Sequence, residues 1–182
     1  MKIARYIDHA ILKPGMTHQE IVSAVQSGID LGVYSVCMHP RDVALAAQMC
    51  QGTDTLVSAV VDFPHGAGGC AVKRAIAEYA LDQGARELDM VMNYSAARSG
   101  DLDTVKREIQ AVVSLAHPRG ALVKVIFETS EHTEESIRKG VEICIEAGAD
   151  FVKTSTGFSK AGATFHDVEL FASHVKPGVK IK

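Results

Sequence analysis

Proline is scarce in this sequence and neither sign of charge dominates it. Five prolines, 47% hydrophobic residues and 23% charged residues rule out an extended disordered chain. With 19 basic against 22 acidic residues the net charge is −3, which argues against a nucleic-acid surface and for a small-molecule partner. No long apolar run is present: the opening segment Ile7–Leu12 carries Asp8 and His9 and is too short for a signal peptide or a membrane span, so a cytoplasmic protein without a membrane partner is expected. Cys37, Cys50, Cys70 and Cys144 are widely spaced with no C-x-x-C pair, and the eight histidines form no H-E-x-x-H. Buried free thiols and no metal are therefore predicted. The nucleotide signatures G-x-G-x-x-G and G-x-x-x-x-G-K-[ST] are missing as well. At 182 residues the chain suits one well-cored domain, spanning 1–182.

What is present is an alternation of short apolar strands and amphipathic helices. Arg5–Ile11 reads as a first strand; Pro14-Gly15 turns the chain, and a helix starts at Thr17, where Thr17 and Glu20 form a capping box, and ends at Gly32. Strands follow at Tyr34–Met38, Leu56–Phe63, Glu87–Met92, Leu122–Phe127 and Phe151–Gly157. Helices are predicted from Arg41 to Cys50, Ala71 to Gln83, Asp101 to Ala116, Thr133 to Ala147 and near Phe165–Val175, the last with Thr164 and Asp167 as a second capping box. After Pro177-Gly178 comes a seventh strand, Val179–Lys182. Strand starts recur about every 30 residues, the length of a βαβ repeat, and near-continuous apolar strands imply a parallel sheet covered on both faces.

An open doubly wound sheet and a (β/α)8 TIM barrel both fit that pattern. The missing nucleotide signatures favour the barrel, and so do the polar residues Asp8, Asp89, Lys124 with Glu128, and Lys153 at or near strand ends, where a barrel assembles its active site. Such barrels take eight strands and about 250 residues, so the expectation is a barrel truncated after the seventh strand, with an edge that oligomerisation would cover.

Lys153 in FVKTSTG is the residue most in need of a reason. A strand-borne lysine either snorkels its head to solvent or is paired, neutralised or used. A second ammonium nearby, Lys182 or Lys180 on the same face, would favour its neutral form, a nucleophile for aldehydes, and a carboxylate such as Asp89 could shuttle protons. Equally, Asp89 could hold a loop amide and the Lys180/Lys182 pair could be a solvated tail.

The motifs YIDHAILKP (Tyr6–Pro14), SVCMHP (Ser35–Pro40), VVDFPHG (Val60–Gly66), ELDMVMN (Glu87–Asn93), VKVIFET (Val123–Thr129) and FVKTSTGF (Phe151–Phe158) resemble, in order and spacing, those of the deoxyribose-phosphate aldolases. That resemblance implies a metal-free class I aldolase, a lyase that cleaves 2-deoxy-D-ribose 5-phosphate reversibly to D-glyceraldehyde 3-phosphate and acetaldehyde. It implies Lys153 as the Schiff-base lysine, Asp89 as the acid/base partner working through water, and Lys182 as the lysine that lowers the pKa of Lys153. Asp8, Cys37, Lys124 and Thr156 fall in motifs that line the family's pocket. A phosphorylated sugar, short aldehydes and a homo-oligomer follow as partners. Ala10 and His39 stand where the family has threonine and asparagine. The family's glycine-rich phosphate-binding turn and eighth strand would come after Lys182, so the alternative is a weakly active or inactive fragment that folds by oligomerising.

Overall fold

The computed structural model describes residues 2–182. Seven parallel strands pair strictly in chain order: β1 (Asp8–Ile11), β2 (Ser35–Met38), β3 (Leu56–Val61), β4 (Glu87–Val91), β5 (Leu122–Ile126), β6 (Phe151–Lys153) and β7 (Lys180–Ile181). Between them run α1 (His18–Leu31), α2 (Val43–Met49), α3 (Gly69–Asp82), α4 (Tyr94–Arg98), α5 (Leu102–Ala116), α6 (Glu134–Ala147) and α7 (Phe165–His174). Both predicted capping boxes form, Thr17 with Glu20 and Thr164 with Asp167, and Gly32 closes α1 in the left-handed conformation that glycine adopts without a Cβ penalty.

Alternation along the strands divides the side chains into two layers. Val36, Met38, Ala59, Val61, Leu88, Met90, Val123, Val125 and Val152 pack with the helices in one large core. Residues between them point the other way, where Leu12, Cys37 and Val60 with Phe63 make a small separate cluster beside a group of charges. In a flat sheet β1 and β5 would lie about 19 Å apart at the usual strand spacing. Lys124 on β5 nevertheless reaches Asp8 on β1 at 2.8 Å. The sheet therefore curls into a partial barrel with the charges inside, and Lys182 Nζ donates to Tyr6 O at 2.8 Å across the seam between the last strand and the first.

Three local expectations are corrected. Arg5 is not in a strand: Ile3–Tyr6 is a 3-10 turn, drawn under β2 by Tyr34 N donating to Ala4 O and Ile7 O and by Arg5 reaching Val33 O and Asp54 O. The seventh strand shortens to Lys180–Ile181, although Lys182 N still donates to Val152 O. The one-turn helix α4, capped by Asn93 Oδ1 accepting from Ala96 N, has no apolar period from which to be predicted.

Phe127, directly after β5, is fully buried, edge-on to Phe171 of α7 at 4.9 Å, and sits where α6 approaches the sheet at Gly140. A Cβ at Gly140 would stand 2.6 Å from Phe127 Cε1. Gly140→Ala is expected to destabilise by about 1–3 kcal/mol through overpacking, and Phe127→Ala by about 3–5 kcal/mol through the cavity it leaves. The two costs should not add: in the Phe127→Ala background Gly140→Ala meets empty space and costs less. Urea denaturation of the double-mutant cycle measures the difference; strict additivity would show that the two residues are not in contact.

Candidate active site

The interior charges form one connected chain. Asp89, fully buried on β4, accepts from Lys153 Nζ on β6 at 2.5 Å through Oδ2, and from Ser58 Oγ on β3 at 2.6 Å through Oδ1. Lys124 Nζ, on the strand between them, lies 3.3 Å from Asp89 Oδ1, 2.6 Å from Glu87 Oε2 and 2.8 Å from Asp8 Oδ2. Asp8 also accepts from Ser35 Oγ at 2.9 Å and is 3.1 Å from Lys182 Nζ. Three ammoniums thus face three carboxylates, which is how a low-dielectric interior can hold six charges. A cavity of about 410 Å³ adjoins this group against Asp8, Glu87, Lys124 and Lys182.

Burial and pairing oppose one another at each group. Burial pushes the Asp89 carboxyl up, but Lys153 and then Lys124 outweigh it and hold it down at about 2. At Asp8 burial again raises and Lys124 more than offsets it, whereas at Glu87 burial wins and the pKa is raised. Lys124 is held well above the ordinary lysine value, because the attraction of Asp89, Glu87 and Asp8 exceeds its desolvation. Burial pushes the Cys37 thiol up to about 12 and leaves it a packing group rather than a nucleophile.

Of the residues singled out in the sequence, Asp89, Lys153, Lys124, Asp8 and Lys182 are brought together, and Cys37 packs beside them. Thr156 stands higher on the rim, its hydroxyl donating to Glu128 Oε2. The expected effect of Lys182 on Lys153 is corrected. Pairing of Phe151 with Lys180 and of Val152 with Ile181 makes Lys182 the register neighbour of Lys153, but its ammonium turns to Asp8 and Tyr6 O. The Lys153 pKa is raised, not lowered: burial lowers it, the adjacent Asp89 carboxylate overrides burial, and the ammonium that opposes Asp89 belongs to Lys124. With a fifth of its side chain exposed, Lys153 is the member of the pair that an incoming molecule can reach.

Sequence reasoning missed several participants. Glu87 sits two residues before Asp89 on the same strand face, a spacing that could have flagged it. Lys73 is fully buried on α3, where it shares a face with Ala77 and Ala80; its Nζ meets Asp62 at 2.7 Å, Gly66 O at 2.6 Å and Glu108 at 2.9 Å, tying the β3–α3 loop to α5. Glu128, which the sequence places with Lys124 near a strand end, has its backbone in the left-handed region at φ +57°. Among the described residues no group of three or more His, Cys, Asp or Glu is arranged to hold a metal ion, and no helix is long and apolar enough to cross a membrane.

Removing the central ammonium tests this balance. Lys124→Met is expected to destabilise the fold by about 3–5 kcal/mol at pH 7, because three buried carboxylates lose their common partner. In the wild type the depressed Asp89 adds stability that is full above its ordinary value of 3.8 and is lost as the pH falls toward 2. The variant should behave oppositely and regain stability between pH 7 and pH 5, as Glu87, left without a cation, takes up a proton. Urea titrations at the two pH values decide, and an equal loss at both would refute the electrostatic account.

Comparison with known proteins places this architecture. A family model described as DeoC/LacD family aldolase matches residues 2–178. The chain is 48% identical over 184 residues to a deoxyribose-phosphate aldolase of Thermococcus gammatolerans, covering 100% of this chain and 82% of the relative. It is 42% identical over 182 residues to the deoxyribose-phosphate aldolase of Listeria innocua, covering all of this chain and 81% of that one. The solved structure of the deoxyribose phosphate aldolase from Aeropyrum pernix, described as tetrameric, superposes with a TM-score of 0.90 at 31% identity, over 99% of this chain and 75% of the other. The alternating strands and helices and the curled parallel sheet are therefore those of a known lineage, and this chain belongs to the DeoC/LacD aldolase family.

Proposed function

We propose that the chain is a deoxyribose-phosphate aldolase that cleaves 2-deoxy-D-ribose 5-phosphate through an imine on Lys153. The observation that carries the assignment of residues is the contact between Lys153 Nζ and Asp89 Oδ2 at 2.5 Å, in a site whose other ammonium groups are engaged by carboxylates. The amine attacks the open-chain aldehyde, water leaves, and a protonated imine remains. The C3 hydroxyl gives up its proton, the C2–C3 bond breaks, and its electron pair runs into the iminium as an enamine. D-glyceraldehyde 3-phosphate departs; the enamine is protonated at C2, and water hydrolyses the resulting imine to acetaldehyde. Because the iminium nitrogen accepts the electrons, the bond cleavage requires no metal at the reacting carbon.

Asp89 has a place in both proton transfers. As the strongest acid of the cluster it stays ionised beside Lys153, keeps the free lysine charged and soluble in its pocket, and can relay protons through water once the imine has formed. Lys124 is a positioning residue: it holds Asp89 through Oδ1, the oxygen that Lys153 does not use, and leaves Lys153 as the amine that attacks the substrate. Lys182 braces Asp8. The same reading carries a phosphorylated sugar as substrate, a homo-oligomeric assembly, a cytoplasmic setting and no nucleic-acid partner.

Borohydride in the presence of acetaldehyde should reduce the imine to an ethyl group on Lys153, located by peptide mass spectrometry. Lys153→Ala should abolish labelling and lower kcat for cleavage by at least about 10³-fold. A folded wild-type sample that is not labelled would refute the imine, and labelling that persists in Lys153→Ala would move it to another lysine. Since Asp89 holds the Lys153 pKa above the ordinary lysine value, the initial labelling rate should rise by about tenfold per pH unit from pH 6 to pH 9, tracking the neutral amine. A rate that plateaus near pH 7 would show a lysine with a depressed pKa instead.

A further inference from the structure

The acid beside the reacting amine is held by a neutral group that the steps above leave without a role. Ser58 lies on β3, fully buried, and its hydroxyl donates to Asp89 Oδ1 at 2.6 Å. Its register partner on β2 is Cys37, whose thiol burial keeps protonated, with a pKa pushed up to about 12. A thiol sulfur is a weak acceptor, so the Ser58 proton belongs to the carboxylate. The two oxygens of Asp89 are therefore engaged differently. Oδ1 faces Ser58 and, at 3.3 Å, the Lys124 ammonium, whereas Oδ2 faces the Lys153 amine at 2.5 Å.

Asp8 shows the same division at the other end of the charges: Ser35 donates to its Oδ1 at 2.9 Å, and Lys124 and Lys182 approach its Oδ2. Glu87 has no such hydroxyl, and its Oε1 is buried without a hydrogen-bond partner. Of the two aspartates held by serines, Asp89 is the one that contacts the reacting amine. A carboxylate with two donors on Oδ1 carries any proton it takes up on Oδ2. That oxygen faces the nitrogen that becomes the imine, two bonds from C2 of the bound aldehyde. Lys124 also holds Oδ1, but its removal would strip Asp8 and Glu87 of their cation. Loss of the Ser58 hydroxyl removes a donor from Asp89 and leaves every charge in place.

We propose that Ser58 is a positioning residue for proton transfer: it fixes the plane of the Asp89 carboxylate and reserves Oδ2 as the oxygen that passes protons to and from C2. The inference rests on the imine reading above. In the step concerned, Asp89 takes a proton from C2 of the iminium through water. The C–H electron pair forms the C1–C2 double bond, and the C=N pair moves onto nitrogen. Return of the proton reverses each change, and in heavy water a deuteron returns instead. A positioned acid or base contributes about 10²–10⁴-fold to such a step, so loosening it should cost about tenfold.

Deuterium exchange separates this role from one in packing. Wild type, Ser58→Ala, Ser58→Cys and Ser58→Thr are given saturating acetaldehyde alone in heavy water. Proton NMR follows the loss of its methyl signal, and borohydride with mass spectrometry measures the fraction of Lys153 held as imine. Ser58→Ala and Ser58→Cys, the second close in shape but a poor donor, should trap as much imine as the wild type and exchange about tenfold more slowly. Ser58→Thr, which keeps the hydroxyl, should exchange within about threefold of the wild type. Wild-type exchange in the alanine and cysteine variants, imine and exchange falling by one common factor, or a threonine variant as slow as the alanine one would overturn the proposal. Should Ser58→Ala fail to fold, Ser58→Cys decides by the same criterion. Failure of the aldolase reading is separate, since it would show as a folded wild type that traps no imine.

Discussion

The arrangement depends on one buried ammonium. Lys124 bridges Asp8, Glu87 and Asp89, and those acids come from strands that meet only if the sheet curls. Each partner needs the others: carboxylates in a non-polar interior are tolerated because a cation neutralises them, and the cation is tolerated because they surround it. Curvature of the sheet and electroneutrality of its interior are thus one constraint. Lys153 takes part from one end of the chain of charges and Lys182 from the other, so the Lys153 amine inherits its position from the whole network.

A second buried lysine repeats the device outside the barrel. Lys73 is satisfied by Asp62, Gly66 O and Glu108, and Glu108 Oε1 accepts from Asn93, which caps α4. Two loops that wall a cavity at the rim, one holding Pro64 and His65 and the other Tyr94, are fastened to the same ammonium. Their anchorage is electrostatic, since loosening either loop would strip a partner from a fully buried charge.

The sequence made the strand and helix order legible because hydrophobic period, capping boxes and glycine stops are local signals. Thr17–Glu20 and Thr164–Asp167 are recognised within four residues, and β3 announces itself by LVSAVV. Partners across the barrel are another matter. Nothing near Lys124 indicates Asp8, 116 residues away, and the turn of Lys182 toward Asp8 depends on a seam that no sequence window contains. Lys153 was readable as a reactive candidate, but the sign of its pKa shift was not, because that sign depends on whether Asp89 or an ammonium is nearer. Glu87 and Lys73 were concealed for the opposite reason: charged residues in strands and helices are usually solvated, and only packing shows that these are not.

The separation between Asp8 and Lys124 has a kinetic consequence. A contact spanning 116 residues closes a very long loop, and loops of that length lose the most chain entropy and form late in folding. Glu87 and Lys124 lie on adjacent strands and Lys153 and Asp89 only one strand farther apart, so these pairs can form as β4, β5 and β6 assemble from neighbours. Asp8 joins them only when the curled sheet brings β1 against β5. The Lys124 ammonium therefore gains its last carboxylate as the sheet closes, and chains still open at that seam leave this end of the charge network in water.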